Sequence, residues 1–215
     1  MSETPAFHPD IASRLTGRLV ALFVHELNNH FATLNEKSGL AEDILAARML
    51  SEKDKLKEIG TLQASIANRV GLAASLVRSF GEIGRRMEGM PAAGEPGLAV
   101  SELVPFLTKI SRQKSVSLHA DLGRASTSAD FDSYALQLTV LALFDNLCSA
   151  VDGPASLTLA AGTARDPRSV VLRIDKPAAD ASGMQPWPML EIQEYASASG
   201  ITISKDAVGT FTVTF

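Results

Sequence analysis

The chemistry-bearing residues of this chain cluster in "ALFVHELNNHFATL", from Ala21 to Leu34. His25, Glu26, Asn28 and Asn29 interrupt an otherwise apolar, helix-forming run. On a helix, Asn29 shares a face with His25, Asn28 lies at i+3, and Glu26 is the adjacent residue. An exposed imidazole can attack a phosphoryl group through one ring nitrogen. A neighbouring carboxylate can hold the other ring N–H and orient it. A nearby amide can hydrogen-bond phosphoryl oxygens or an attacking water. A rotation of about 100° per residue puts His25 about 80° from the stripe of Leu15 and Leu22, at its solvent-reachable flank. Zinc-protease spacing fails, because position 29 is asparagine. Taken alone, the cluster is better read as an ordinary surface histidine beside helix-surface polar residues. His30 is read as a surface residue, since no acidic residue follows it as Glu26 follows His25.

The positioning element should be one long helix from about Pro9 to Leu50. No strong breaker interrupts it, and apolar residues recur at Leu15, Leu19, Leu22, Leu27, Phe31 and Leu34. "SEKDK" at 51–55 reads as the turn. A second helix carries Ile59, Leu62, Ile66, Ala73, Leu76, Phe80 and Ile83 at bundle spacing, and ends where "RRMEGMPAAGEPG" gathers glycine and proline into a linker. Two such helices cannot bury both faces of their seams alone. A second copy completing a four-helix bundle is therefore expected, with packing on the chain's own second half as the alternative.

The second half changes character. "SELVPFLTKISRQ" reads as a helix opening at Ser101-Glu102, and "SVSLHADL" as a strand. "DSYALQLTVLALFDNLCSAV" is an apolar helix, and "SLTLAAG" and "SVVLRID" are strands. "MLEIQEYASASG" is a helix stopped by Gly200, and "ITIS" with "GTFTVTF" makes a terminal hairpin. The fold class is α+β: a long helical hairpin plus an α/β sandwich, with antiparallel-looking strands in one sheet and helices on one face. Three segments follow: 1–88 hairpin, 89–97 linker, 98–215 α/β domain.

Composition narrows the function classes. A net charge of −4 over 215 residues, with basic residues only in short clusters such as Arg85-Arg86, argues against a nucleic-acid partner. The single cysteine, Cys148, cannot form an internal disulfide, and its apolar surroundings make it a buried small hydrophobe. "LVALFV" falls far short of the ~20 apolar residues of a spanning helix, so a cytoplasmic protein without a membrane partner is expected.

"HELNN" in a long helix, followed by "IANRVGLAASLVRSFGEIGRR" and an α+β segment closing on "SGITISKDAVGTFTVTF", resembles two-component histidine kinases. The resemblance spans nearly the whole chain. It makes His25 the phosphoacceptor, with Glu26 and Asn29 tuning the transfer. His30 stands where the family commonly has proline. An active kinase would also need an asparagine for Mg²⁺, an aspartate for adenine and glycine-rich phosphate loops. In "LALFDNLCSAVDG", aligning Ala150 and Asp152 puts Ser149 where the metal-binding asparagine belongs and Asp145 on the earlier asparagine, with Asn146 off by one. "DKPAAD" follows the strand at Asp175 without a glycine, and Pro177 fixes the backbone where a flexible loop belongs. "MQPWPML" replaces the next glycine-rich stretch, leaving Gly183 isolated and Trp187 as a plug in the cleft.

The closer resemblance is therefore to dimeric histidine phosphotransferases with a degenerate ATP-binding domain. It implies a homodimer that passes phosphoryl groups between receiver-domain aspartates of response regulators through His25. No cofactor of its own is implied, Mg²⁺ being supplied by the receiver. The alternatives are a divergent sensor histidine kinase autophosphorylated at His25, or a non-catalytic dimeric regulator of a two-component system. Phe31, Leu34 and Phe80 are either core residues or receiver contacts.

Overall fold

The computed structural model describes residues 9–90, 95–123, 131–151, 153–161, 167–175, 186–206 and 209–215. It is an α+β protein with a long helical hairpin and a five-stranded mixed sheet carrying helices. Compactness divides the chain into two units: Val20–Phe80, and the remainder, up to Leu19 and from Gly81 onward.

The hairpin is built from α1 (Pro9–Ala46) and α2 (Glu52–Met87). Pro9 opens α1, where its missing N–H costs no helical hydrogen bond. "SEKDK" is not a turn but the first turn of α2. Ser51 caps it, its Oγ accepting from the Asp54 N–H (3.2 Å) and donating to the Asp54 carboxylate (2.6 Å). Glu52 and Asp54 add negative charge at that helix start. The other end stops at Gly89, whose φ of +87° lets the Met90 N–H reach the Arg85 carbonyl (3.0 Å) and its own N–H the Arg86 carbonyl (2.9 Å).

The seam of α2 runs as its spacing predicts, with Leu62, Ala73, Leu76 and Ile83 buried. On α1 the buried line runs Ile11, Leu15, Leu19, Leu22, then departs from expectation. Three- and four-residue steps from Leu22 lead to Glu26 and His30, not to Leu27 and Phe31. Phe31 is half exposed, while His30 is buried at 9% exposure. Its reading as a surface residue is thus overturned: it sits on the helix stripe that faces α2. Val20, Val24 and Phe31 form a separate exposed apolar stripe on α1, and Val70 and Val77 are exposed on α2.

In the other unit, helix α3 (Pro96–Ser101) begins at a proline and α4 (Val104–Gln113) follows directly, so Ser101-Glu102 closes one helix instead of opening another. Strand β1 (Val116–Leu122) leads to α5 (Ser133–Ser149), capped by Asp132, whose Oδ1 accepts from the Ala135 N–H at 2.9 Å. Strands β2 (Ala155–Ala161) and β3 (Ser169–Ile174), helix α6 (Met189–Ala198), and strands β4 (Thr202–Lys205) and β5 (Phe211–Thr214) complete the unit. Gly200, at φ +73°, stops α6 as the sequence suggests.

The sheet order is β1-β2-β3-β5-β4. All pairings are antiparallel except β1 with β2, which is parallel and corrects the all-antiparallel expectation. The intervening α5 provides the long crossover that parallel neighbours require. Alternate residues of β2 are buried (Leu157 and Leu159 fully), as are Val170, Leu172 and Val213, so one sheet face is covered. Helices α3, α4 and α5 pack on the sheet, and α5, with fifteen buried residues from Ser133 to Cys148, also packs on α3, α4 and α6. Burial pushes the Cys148 thiol up to about 12, as befits an inert small hydrophobe. Gly97 is required by close packing: a Cβ there would overlap the Gly123 carbonyl oxygen.

Candidate functional site

Helix α1 brings His25, Glu26 and Asn29 together. The His25 side chain is 57% exposed and that of Glu26 21%. The Glu26 Oε1 lies 3.4 Å from His25 Nδ1, and the Asn29 amide nitrogen lies 3.0 Å from the same Nδ1. Asn29 also donates to Glu26 Oε1 at 2.9 Å, closing a triangle on one helix face. Nδ1 can make only one of its two contacts as a donor. Protonated, it donates to Glu26 and leaves the Nε2 lone pair open to solvent. Unprotonated, it accepts from Asn29, and the proton moves to Nε2. The triangle can therefore hold either tautomer, one leaving the Nε2 lone pair unengaged and the other tying the Nδ1 lone pair to Asn29.

Behind this face, His30 meets α2. Arg69 Nη1 lies 3.4 Å from His30 Nδ1. Burial, and next the Arg69 charge, hold the His30 imidazole below its ordinary range, while Glu26 opposes them. Sequence reading missed Arg69. The signal was there: the α2 seam steps from Ile66 to Ala73, and Arg69 occupies the skipped position. Phe23 and Phe80 stack across the hairpin, ring centroids 4.1 Å apart and planes 10° off parallel, which fixes Phe80 as a packing residue.

In the α/β unit, the polar residues of α5 face inward. Trp187 is buried, and its indole N–H donates to Asp145 Oδ2 at 3.1 Å. Asn146 clasps the Trp187 backbone, donating to its carbonyl (2.8 Å) and accepting from its N–H (3.0 Å). Arg18 is ion-paired with Asp145 at 3.4 Å; Arg14 pairs with Glu191 at 3.0 Å and lies over the Trp187 ring at 5.4 Å. Trp187 is thus buried, as the sequence suggested, and is held from α5 and from Arg14 and Arg18 of α1, anchors the sequence did not foretell. Ser149 is the last residue of α5, half-buried. Asp175 is engaged at the sheet end, its Oδ1 accepting from the Ser156 N–H at 2.7 Å. Asp152, Pro177 and Gly183 lie outside the described residues.

Among the described residues, no helix is long and apolar enough to cross a membrane, and no group of three or more His, Cys, Asp or Glu could hold a metal ion.

No protein-family model matches the chain, and no curated protein matches it. Solved structures similar to it include histidine-kinase regions and a phosphotransferase. A bacterial phosphotransferase is 14% identical, over 99% of this chain and 98% of that one, with a TM-score of 0.42. The Acinetobacter baumannii histidine kinase AdeS is 15% identical over 88% of this chain and 95% of that one, with a TM-score of 0.41. The histidine kinase domain of a blue-light-activated kinase from Erythrobacter litoralis is 11% identical over 85% and 93%, with a TM-score of 0.39.

Proposed function

We propose that this chain is a histidine phosphotransferase of a two-component phosphorelay, loaded at His25 by a phosphorylated receiver domain and not by ATP. The observation that carries the reading is the His25 imidazole, exposed on α1 with Nδ1 in reach of Glu26. In the reaction the Nε2 lone pair attacks the phosphorus of a receiver's aspartyl phosphate. The N–P bond forms, the acyl P–O bond breaks, and the aspartate leaves as a carboxylate with the bonding electrons. The ring becomes cationic, its Nδ1–H is shared with Glu26, and the reverse step delivers phosphate to a second receiver. Mg²⁺ belongs to the receiver in this scheme.

The internal bonding of α5 supports transfer without a nucleotide. Both ends of the Asn146 amide are used by Trp187, and Asp145 receives the indole and Arg18. These side chains do not fit an ATP–metal site, because each would first have to abandon a buried partner. The exposed stripe of Val20, Val24 and Phe31, with Val70 and Val77 on α2, supports a homodimer in which a second copy completes a four-helix bundle.

Purified protein mixed with a panel of ³²P-labelled receivers is expected to take up acid-labile label, and the His25→Ala variant none. Uptake from labelled ATP without a receiver would instead favour a divergent kinase. Absence of label from every receiver, with signalling intact in His25→Ala cells, would favour a non-catalytic regulator.

A further inference from the structure

The seam of the hairpin holds a second imidazole one turn from the first site. Glu26 and His30 are i and i+4 on α1, so they share the stripe that faces α2. His30 is buried there, and Arg69 reaches it from α2 between Ile66 and Ala73. The guanidinium has only donors to offer, so its contact with Nδ1 requires a lone pair on that nitrogen. An imidazolium would set N–H against N–H in a half-buried place. Among the described residues, Arg69 from α2 and Glu26 from α1 itself are the charged groups that bear most on His30. Glu26 thus acts on two imidazoles, contacting His25 and bearing on His30 through its charge. If His30 were charged, it would compete with His25 for the Glu26 carboxylate.

We propose that Arg69 is a positioning residue: by donating to His30 Nδ1 it holds the second imidazole uncharged and leaves the Glu26 carboxylate to His25. The consequence for chemistry lies in the tautomer. With Glu26 available, the His25 proton rests on Nδ1 and Nε2 is the nucleophile. With Glu26 drawn to a charged His30, Nδ1 of His25 turns to the Asn29 amide, and Nε2 takes the proton. This rests on the proposed transfer at His25, but the conformational link can be read without any phosphate.

The experiment uses full-length protein with ¹⁵N-labelled histidine, as wild type, Arg69→Gln, Arg69→Lys and the Arg69→Gln/His30→Gln pair. Imidazole ¹⁵N shifts are followed with pH, alongside the pH profile of label transfer from a phosphorylated receiver. In Arg69→Gln, His30 is expected to charge at higher pH than in wild type, and His25 to move its proton from Nδ1 to Nε2 over the same range. The acid limb of transfer should rise with it, each unit of displacement costing about tenfold in rate below the limb. Arg69→Lys should keep the wild-type limb, and His30→Gln added to Arg69→Gln should restore it. An unchanged His25 tautomer in Arg69→Gln overturns the proposal, as does a displaced limb that His30→Gln fails to restore. If wild type accepts no label at all, the transfer reading fails by itself, and the ¹⁵N tautomer still decides whether Arg69 governs Glu26.

Discussion

At the scale of single residues, the Glu26–His25–Asn29 triangle defines a division of labour. Under the proposed transfer, Glu26 favours the tautomer that attacks, and Asn29 the one that does not. Glu26→Gln is therefore expected to slow receiver-to-protein transfer by on the order of 10²-fold, the lower end of what a positioned proton acceptor supplies. Asn29→Ala should leave loading intact or raise it. Quench-flow with a labelled receiver separates the two, and equal losses in both variants would contradict the division. The triangle was legible in sequence, because i and i+4 spacing on a helix is simple geometry. His30 and Arg69 were not. Apolar periodicity directs the eye to the next leucine, and both polar residues stand where the seam pattern skips one. Following the three- and four-residue steps from Leu22 and from Ile66, whatever residue they land on, would have found them.

At the scale of elements, what the sequence could reveal was set by local signals. Gly89 and Gly200 announced two helix ends, and alternation announced the strands. What it concealed was non-local. The parallel pairing of β1 and β2 is decided by the α5 crossover, not by either strand's composition. Arg86, read as part of a short basic cluster, is instead a nearly buried ion-pair partner. Its guanidinium grips Glu102 at 2.6 and 3.3 Å, and Gln137 donates to the same carboxylate at 2.7 Å. This joins the end of α2 to α5 through the residue that follows α3. Both partners are nearly buried, so losing one strands the other in a dry place. Arg86→Met is expected to lower unfolding stability by about 3–5 kcal/mol, measured by urea denaturation. The paired replacement Arg86→Met with Glu102→Leu should cost far less, which distinguishes a stranded charge from lost packing.

At the scale of the molecule, the hairpin seam and the outward apolar stripe make different demands. The seam is satisfied between α1 and α2, while Val20, Val24 and Phe31 remain in water within a single chain. Under the proposed dimer, Val24→Glu should convert the protein to a monomer in sedimentation equilibrium, by placing a charge in an apolar interface. Lys37→Glu, on the same helix and away from that stripe, should leave the mass unchanged. A wild type that is monomeric at micromolar concentration would remove the basis for a shared bundle.

The plug at Trp187 also decides how this protein can be watched. It is the only tryptophan, and both tyrosines, Tyr134 and Tyr195, lie in the same compact unit. The unit from Val20 to Phe80 contains neither residue type, yet is made almost wholly of helix. Intrinsic fluorescence therefore reports one unit, with an indole whose buried N–H and overlying guanidinium give its emission a folded signature. Circular dichroism at 222 nm draws heavily on the other. Melting curves from the two signals coincide only if both units unfold as one cooperative body. An unmodified sample thus carries a built-in optical test of whether the helices that bear His25 can come apart while the domain around the indole stays intact.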